Sequence, residues 1–584
     1  MKKILIILLL TITIHSSVLF AQRLDQKTYC NPMDIGYRYN WEQINKKISY
    51  RSGADPVIIT HKNEYFLFVT ISGGYWHSPD LINWKYIVPS RWPMEDMCAP
   101  AAISVRDTLY LFQSTFEQRP IFYTTTPETG KLSFFNRWLP ALPKDVGPWD
   151  PALFYDEDLD KWYMYWGSSN TYPLYGAELD KSKNLVYKSD YKAMLKLHPN
   201  LHGWERFGQD HRDTIKPYME GAWMTKYKNK YYLQYGAPGT EYNVYANGAY
   251  IGNDPLGPFT YANYNPISYK PGGFVTGAGH GNTFQDNYGN WWNTGTPWVA
   301  VNWNFERRMA MFPGGFNEDD EMHFNTRFGD FPHYMPKQSV KHDESLFTGW
   351  MLLSYKKKCI ASSIKEDKHA DLVNDENPRT FWVAESNKAG EWLQMDLGAA
   401  KNIKAFQVNY TDYKSDLYDN DESVYLQFKM YASADGKNWN EIFSNANKKE
   451  DRPNAYIELE KAVDARYLKF ENIYVPTPNL AISDIRVFGN SGDAFPKTPG
   501  KFKATRMADQ RNATTSWEPV KGVTGYNIRW GIGADKLYQT YQVWADQPTS
   551  LEIRALTLGQ KYYFAIESFN EEGVSTLSKV MGPI

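Results

Sequence analysis

The sequence predicts an all-β protein in which a five-bladed β-propeller is followed by two smaller β-sandwich modules. A layout of two strands joined by a polar turn occurs five times between residues 50 and 300. After about residue 340, short segments of alternating polarity and turn residues indicate further strands. Aromatic residues make up 16% of the chain, with 21 Trp and 43 Tyr, and these residue types are enriched in strands.

The composition excludes two classes of protein. The 584 residues include 64 Lys and Arg against 66 Asp and Glu, which gives a formal net charge of -2. A nucleic-acid-binding protein needs a basic excess to neutralise phosphates, and this chain has none. The balanced charge also excludes an acidic disordered chain. Flat amphipathic rings suit surfaces that stack on sugars, although composition alone does not separate that role from an ordinary β core.

The N-terminus has the three parts of a signal peptide. Lys2 and Lys3 precede an apolar run at 4–14, and the segment ends at Ala21. The run is too short for a membrane span, and no later stretch reaches the length of about 18 apolar residues that a span needs. We therefore expect residues 1–21 to be removed and the remaining chain to be exported, either to the periplasm or out of the cell.

The three cysteines, Cys30, Cys98 and Cys359, do not define a disulfide framework, because their number is odd and small. A single bridge between Cys30 and Cys98 is one alternative. Buried thiols without a bridge are the other, and the sequence leaves both open.

The five repeats share one layout. Each begins with a small or charged residue, continues as an apolar strand and, after a polar turn, returns as an aromatic-rich strand. The repeats start at Asp55, Ala99, Asp150, Glu220 and His280, which lie 44, 51, 70 and 60 residues apart. Units of this size accommodate a propeller blade of four strands. A β-sandwich with coincidental hairpins is the alternative, and five copies of one layout favour the propeller.

The propeller places the five starting residues at one point, because the inner strand of every blade begins at the central axis. Three carboxylates and one imidazole would then share a small funnel. Crowding and burial raise the pKa values of carboxylates. Since groups with perturbed pKa values cluster at functional sites, the axis is the predicted active site.

The chain is predicted to have three domains after the signal peptide. The propeller covers residues 22–345, and a module of alternating strands and turns covers 350–490. A linker with Pro and Gly at 492–500 leads to the last module, 499–584. Its short, regularly spaced strands predict a small immunoglobulin-like sandwich.

Motifs in the first domain resemble those of glycoside hydrolase family 43. Three of them open repeats in that family's order: Asp55-Pro56, Asp150-Pro151 and Glu220-Gly221. The segments Ser78–Trp84 and Gly279–Gly281 resemble two further family segments. The chain departs from the family where Cys98 precedes Ala99 in place of the usual Trp, and where Ala222 stands in place of a common Pro. Both departures concern the shape of the pocket and therefore the identity of the substrate.

The resemblance implies a five-bladed propeller that hydrolyses glycosides with inversion, and it assigns three roles. Asp55 would be the general base that activates water, and Glu220 would be the general acid that protonates the leaving oxygen. Asp150 would raise the pKa of the acid and hold its orientation. An inverting pair stands about 6.5–9.5 Å apart, which leaves room for the water. The alternative for each carboxylate is a cap on a turn.

The resemblance also implies residues that support the reaction. His280 would lie near a bound ion, often calcium and largely coordinated by water, while a hydrogen-bonded histidine on the axis is the alternative. Arg307 would hold substrate hydroxyls or pair with a structural carboxylate, and its neighbour Arg308 leaves the choice of arginine open. The chemistry itself requires no cofactor.

Three tryptophans are candidate walls on which a sugar could stack: Trp76, Trp149 and Trp223. Trp149 and Trp223 lie beside motif residues. A tryptophan in a propeller more often belongs to the core, which is the alternative for each of them.

The two C-terminal modules resemble known domains. Residues 350–490 are similar to a discoidin (coagulation factor 5/8 type C) domain, and residues 499–584 to a fibronectin type III domain. The discoidin-like domain could carry a second glycan site with Trp382, Tyr410 and Trp439 as contacts, or it could be a rigid spacer. For the fibronectin-like module the spacer is the favoured interpretation.

The sequence as a whole predicts an exported enzyme that acts on an oligo- or polysaccharide. The expected reaction is removal of α-L-arabinofuranosyl or β-D-xylosyl residues from plant-type polysaccharide. An exo-galactanase-type glycosidase of the same fold is the nearest enzymatic alternative. A non-catalytic glycan-binding propeller, and an adhesion protein that works through its C-terminal modules, are the alternatives from other classes.

Overall fold

Strands form nearly all the regular structure in the computed structural model, which describes residues 27–39, 49–90, 98–114, 119–139, 146, 149–418 and 423–584. Helical segments within these ranges are short 3-10 turns: Pro127–Thr129, Lys181–Lys183, Gly203–Glu205, Gln209–His211, Asp343–Leu346 and Ala370–Asn374. In this part of the chain no helix is long and apolar enough to cross a membrane. The all-β prediction is confirmed. The predicted signal peptide, residues 1–21, lies outside the described residues.

Five antiparallel sheets lie within the described part of residues 57–324, one for each predicted repeat. Three of them have four strands, in chain order. The first comprises Val57–His61, Glu64–Phe68, Tyr75–Ser78 and Lys85–Ile87. The second comprises Ala101–Val105, Thr108–Phe112, Arg119–Thr124 and Ser133–Leu139. The fifth comprises Thr283–Gln285, Trp291–Gly295, Ala310–Phe316 and Met322–Phe324.

The third and fourth sheets each have one more strand, which pairs with the third strand of its sheet. The third comprises Ala152–Asp156, Lys161–Trp166, Leu174–Asp180, Val186–Tyr187 and Lys192–Leu195. The fourth comprises Glu220–Tyr227, Lys230–Ala237, Ala246–Gly252, Phe259–Tyr261 and Ser268–Tyr269. These added strands explain why the third and fourth repeats are the longest in sequence.

Local sequence explains the hairpin that opens the first sheet. His61 pairs with Glu64 across a two-residue turn. Lys62 and Asn63 in that turn have φ of 50° and 63°. Two successive positive φ values are typical of the type I′ turn, whose twist matches that of paired strands.

Hydrogen bonds join each of the five sheets to the next, and the fifth to the first. The contacts, in order, are Ala99 N–H to Thr70 Oγ1, Asp150 N–H to Ser114 Oγ, Met219 with Ser169 through their backbones, Trp223 Nε1–H to Thr283 O, and Asn282 with both backbone groups of Ile58. The residues just before the first strand of each sheet therefore lie close to one another.

A sheet of eight strands follows the five sheets. It comprises Met351–Leu352, Lys358–Ala361, Trp382–Val383, Trp392–Tyr410, Gln427–Ser433, Asn440–Ser444, Asn454–Tyr474 and Ala481–Asn490. Trp382 and Tyr410 are 0% and 5% exposed in its core, so the prediction that they contact a glycan is wrong for these two. Trp439 is half-buried, and the Lys469 ammonium lies 5.3 Å from the centre of its ring.

The last module has two antiparallel sheets of three strands. One comprises Lys503–Arg506, Ala513–Ser516 and Ser550–Ile553, and the other Gly525–Gly531, Gln539–Trp544 and Tyr563–Phe569. The module packs against the fourth sheet, where Trp530 meets Tyr269 edge to face at 6.0 Å. Arg206 donates hydrogen bonds to Asn512 and to the Arg554 carbonyl. The fibronectin type III identity of this module stays a prediction.

Two short ladders also occur near the start of the described chain. Thr28–Tyr29 pairs with His333–Tyr334, and Arg38–Tyr39 pairs with Arg51–Ser52. Of the two alternatives for the cysteines, the structure has thiols without a Cys30–Cys98 bridge.

The eight-stranded domain is held to the first domain by buried charges. Arg51 lies between Asp412 and Asp451, at 2.5 and 2.9 Å, and all three side chains are buried. Arg308, also buried, donates from Nε to Asn454 Oδ1 and from Nη1 to the Arg51 carbonyl. Buried ion pairs of this kind fix the relative placement of two surfaces more than they add stability.

Candidate active site

The residues that open the repeats share an unusual backbone conformation. Asp55, Ala99, Asp150 and His280 have φ of 53°, 42°, 50° and 45°, and in the fourth repeat Gly221 has φ of 66°. A positive φ is uncommon for residues other than glycine, and strained conformations of this kind cluster at functional sites as well as in turns. The repeat position of the fourth sheet is therefore Gly221, so the predicted equivalence of Glu220 is wrong by one residue. The strand of this repeat already begins at Glu220, and a bulge lies between Glu220 and Trp223.

Gly221 is required by the packing of His280. A Cβ at residue 221 would lie 2.6 Å from His280 Cδ2 and 2.8 Å from its Cγ. The absence of a side chain thus lets the imidazole pass directly beside the strand that carries Glu220. The Glu-Gly motif couples the acid to the histidine by this contact.

Substituting Gly221→Ala should lower kcat/KM by at least about tenfold, because the added methyl displaces His280 from the carboxylates and φ of 66° strains any L side chain. Gly289→Ala is the matched control. Gly289 has φ of 81°, but a Cβ there meets nothing within 4 Å. This control should lose some stability with little effect on turnover. Equal kinetic losses in the two variants would contradict the role given to the Gly221–His280 contact.

Asp55 is held by groups from two repeats, the first and the fifth. Its Oδ2 accepts a 2.5 Å hydrogen bond from Thr70 Oγ1, and its N–H donates to Thr296 Oγ1 at 3.0 Å. Its Oδ1 lies 3.0 Å from His280 Nδ1 and 3.8 Å from Arg307 Nη1. Burial alone would raise the pKa of Asp55, but His280, Arg307 and the Thr70 hydrogen bond hold it well below its ordinary value. Asp55 is therefore a carboxylate at neutral pH.

Asp150 experiences the opposite electrostatic balance. Its side chain is buried, and Oδ2 lies 3.7 Å from His280 Nδ1. Burial raises the pKa of Asp150, and the carboxylates of Glu220 and Asp55 add to this against the His280 charge, giving a pKa of about 8. Asp150 is thus mainly protonated at neutral pH. Its unfolded pKa would be about 3.9.

The pH dependence of stability should reveal this proton on Asp150. Because the folded pKa exceeds the unfolded one, the contribution of Asp150 to stability is full below about pH 4 and is lost as pH rises through about 8. Asp150→Asn cannot ionise, so its melting temperature relative to the parent should rise between pH 5 and 8 and level off above. A gain of about 5 °C at pH 8, measured by calorimetry, is expected. A difference that does not vary with pH would contradict a protonated Asp150.

His280 acts as the cation of the cluster. Burial would lower the pKa of His280, but the negative charge of Asp55, 3.0 Å away, is the largest opposing effect, and this pKa rises to about 9. An imidazolium at neutral pH balances the neighbouring negative charge. Of the two alternatives for His280, the geometry places it in contact with the axis carboxylates.

Glu220 differs from Asp55 and Asp150 because it is half-buried and so open to a ligand. Its Oε1 accepts a hydrogen bond from the Tyr245 hydroxyl, and its Oε2 accepts one from Ser168 Oγ at 3.2 Å. Ser168 Oγ also lies 3.4 Å from the Tyr218 hydroxyl, so it can turn toward that partner. Both oxygens of Glu220 are thus positioned by side chains from two sheets.

The sequence analysis missed the hydroxyls that surround the carboxylates. A hydroxyl residue follows the second strand of four repeats: Thr70, Ser114, Ser168 and Thr296. Three of these bind a backbone N–H at the start of a repeat, and Ser168 binds Glu220. The recurrence was a readable signal. Tyr245 stands at no repeated position, so no sequence signal marked it.

The two adjacent arginines have separate roles. Arg307 is half-buried and faces Asp55, and its Nε donates to the Phe305 carbonyl. Arg308 turns the other way, into the interface with the eight-stranded domain. Arg307 is therefore the arginine of the site.

The predicted stacking walls are wrong for two of the three tryptophans. Trp76 and Trp223 are 2% and 9% exposed and lie in the core between sheets. Side chains that face a neighbouring sheet pack against its apolar side chains, and this packing explains why both positions are tryptophan. Trp149 is half-buried directly before Asp150, so it stays a candidate. Other half-buried rings near the site are Phe207, Tyr218, Tyr242 and Trp298.

Asp150, Glu220 and His280 are close enough to share an ion, with one ligand atom from each lying within 4.8 Å of the others. Calcium prefers oxygen ligands, and the set offers two carboxylates and one imidazole nitrogen. The donor chemistry therefore favours contact of calcium with the carboxylates over a direct bond to His280. The expected calcium near His280 stays a prediction, and such an ion would have to keep water between itself and the imidazole.

Comparison with known proteins supports two domain assignments. Residues 45–308 match the family model of glycosyl hydrolases family 43, and residues 358–481 match that of the F5/8 type C domain. The family 43 and discoidin resemblances are confirmed for these regions. No curated protein matches the chain significantly.

Several solved structures are similar to this chain at low identity. A glycoside hydrolase is 18% identical, with a TM-score of 0.44, over 74% of this chain and 97% of the other. A xylan beta-1,4-xylosidase from Bacillus halodurans C-125 is 11% identical, with a TM-score of 0.40, over 79% and 99%. An endo-1,4-beta-xylanase from Bacteroides thetaiotaomicron VPI-5482 is 22% identical, with a TM-score of 0.38, over 47% and 95%.

Proposed function

We propose that this chain is an exported inverting glycoside hydrolase that removes α-L-arabinofuranosyl or β-D-xylosyl residues from plant-type polysaccharide. The observation that carries the proposal is the pairing of two unlike carboxyl groups. Asp55 is buried and ionised beside His280 and Arg307, whereas Glu220 is half-buried and bound by hydroxyls. Pairs of titratable groups in contrasting environments are typical of an acid and a base. The glycone rests on the motif resemblance alone.

In the proposed mechanism Asp55 accepts a proton from the attacking water. Thr70 holds Oδ2 of Asp55, so Oδ1, which lies beside His280 and Arg307, would be the oxygen that accepts the proton. Glu220 gives its proton to the leaving oxygen, and the Ser168 hydroxyl can accept a hydrogen bond from the protonated acid by turning toward Tyr218. The sugar passes through an oxocarbenium-like state between the two groups, as in other inverting enzymes.

Asp150 and His280 set the charge of this site. With Asp150 protonated and His280 charged, Asp55 stays ionised, and Asp150 adds no negative charge that would raise the pKa of Glu220. This differs from the role that the family resemblance implies for Asp150. Arg307 lies near the base and can donate to a sugar hydroxyl through the nitrogens that Phe305 does not occupy.

We further infer that the five sheets close into a five-bladed propeller, that residues 499–584 form a fibronectin type III domain and that residues 1–21 direct export. The hydrogen bonds from Asn282 to Ile58 and from Asp55 N–H to Thr296 support closure, since they join the fifth repeat to the first. The three-plus-three strand arrangement supports the last domain. An exo-galactanase-type activity and a glycan-binding propeller without catalysis stay alternatives.

Hydrolysis of aryl glycosides tests the proposal directly. Residues 22–584 would be offered aryl α-L-arabinofuranoside, β-D-xyloside and β-D-galactoside, beside the double variant Asp55→Asn/Glu220→Gln. Turnover of the first or second, lost in the double variant, is expected. Turnover of the galactoside alone would favour the galactanase alternative. No release of sugar from this panel or from mixed plant polysaccharides would favour a binding protein.

A further inference from the structure

The loop between the second and third strands of the fifth sheet connects the reaction centre to the eight-stranded domain. At one end, Thr296 binds Asp55, and at the other, Arg307 faces it. Between them, Asn302 Nδ2 donates to the Asp412 carbonyl of the eight-stranded domain at 2.8 Å. The second domain therefore reaches the rim of the candidate active site.

Trp298 is an aromatic residue of this loop, close to its Thr296 end. It is half-buried, forms a backbone bridge with Arg307 and donates from Nε1 to the Asn304 carbonyl at 2.9 Å. Its ring lies 6.1 Å from that of Tyr242. Tyr242 follows Glu241 in the chain. Burial and the Glu220 carboxylate raise the pKa of Glu241, and the positive charge of Arg307 opposes this rise. This rim therefore adjoins the acid side of the centre.

Arg379, from the eight-stranded domain, completes the rim. Its guanidinium carbon lies 3.8 Å from the centre of the Trp298 ring, close enough for a cation–π contact. Arg379 is exposed, and among the described residues its guanidinium has no ion pair or hydrogen-bond acceptor. The loop that presents Arg379 is ordered by Asp375, which accepts hydrogen bonds from Asn377 N–H and Thr380 Oγ1. An ordered arginine with unused donors at the mouth of a site is suited to a ligand rich in oxygen acceptors.

We propose that Trp298 and Arg379 form an outer subsite, built from both domains, that binds a sugar unit of the polysaccharide beyond the scissile bond. This inference rests on the proposed function, because it takes the ligand of the site to be a glycan. Arg379 donates hydrogen bonds to the hydroxyls of that unit, and Trp298 holds the guanidinium in place. The eight-stranded domain is then part of the substrate site itself, which differs from a separate glycan-binding module and from a rigid spacer.

Binding to the inactive Glu220→Gln protein tests this subsite. Calorimetry would compare arabinoxylan oligosaccharides of three to five units with the methyl glycoside of the same terminal sugar. Adding Arg379→Ala should lower the affinity for the oligosaccharides by about tenfold more than the affinity for the methyl glycoside, because hydrogen bonds from a charged donor are lost only with the longer ligands. Arg379→Lys, which keeps the charge but loses the planar donor set, should fall between.

Arg466→Ala is the matched control. Arg466 is in the same domain, lies over the Tyr467 ring and pairs with Asp396, and it should change neither affinity. Equal effects of Arg379→Ala on long and short ligands, or none, would overturn the subsite. The proposed function fails separately, if the unsubstituted protein hydrolyses none of the glycosides. Length-dependent loss of binding would still support the subsite in that case.

Discussion

Glu220→Gln should lower kcat by about 10²–10⁴ on substrates with poor leaving groups, because glutamine cannot supply the proton that the departing oxygen needs. The loss should shrink as the leaving group becomes more acidic, since a dinitrophenolate departs without protonation. The measurement is kcat for a series of aryl glycosides of falling phenol pKa, with and without the substitution. The hydroxyls of Ser168 and Tyr245 can hydrogen-bond to the amide, so the side chain should keep its place.

Glu241→Gln is the control for this substitution. Glu241 is a second half-buried carboxylate close to Glu220 and Arg307, and within the described part of the chain no pair of hydroxyls positions it. Its substitution should lower kcat far less than Glu220→Gln does, and the loss should not depend on the leaving group. If the two variants lost the same activity along the series, the acid would not be assigned to Glu220.

Asp55→Asn should also lower kcat by about 10²–10⁴, but to the same extent for every leaving group, because the base acts on water. The substitution has a second consequence that needs no turnover. Asp55 raises the pKa of His280 by its charge and its contact at 3.0 Å, so this pKa should fall in the variant from its value of about 9. NMR titration of the His280 ring measures it.

The two readouts together identify the role of Asp55. A merely structural Asp55 would give a loss of activity with unfolding, or a loss without a change at His280. An unchanged His280 titration would contradict the ion pair. A loss that varied with the leaving group would instead assign Asp55 to protonation.

The sequence predicted the parts of the fold that repeat. Five copies of a strand–turn–strand layout gave five sheets, and the motif residues Asp55, Asp150 and His280 do come together. Periodicity locates a strand well because side chains alternate along it. In the fourth repeat the predicted starting position, Glu220, was one residue too early. The bulge at the start of that strand leaves no mark in the sequence pattern.

The sequence failed where a residue type serves two purposes. Trp76 and Trp223 have the size and chemistry of a sugar platform, yet the same properties fill the space between sheets. The contact of Arg379 with Trp298 joins two domains across 81 residues of sequence, and nothing local to either residue indicates it. Contacts between domains depend on how folded surfaces meet, which no short pattern encodes.

The configuration of the first sugar released tests the central claim most directly. Proton NMR would follow the anomeric signal of the product within the first minutes of hydrolysis of the best aryl glycoside, before mutarotation. Asp55 as base and Glu220 as acid predict that the first product has the anomeric configuration opposite to that of the substrate. A first product that retains the configuration would mean that a carboxylate attacks the sugar itself, and the roles given to Asp55 and Glu220 would be wrong.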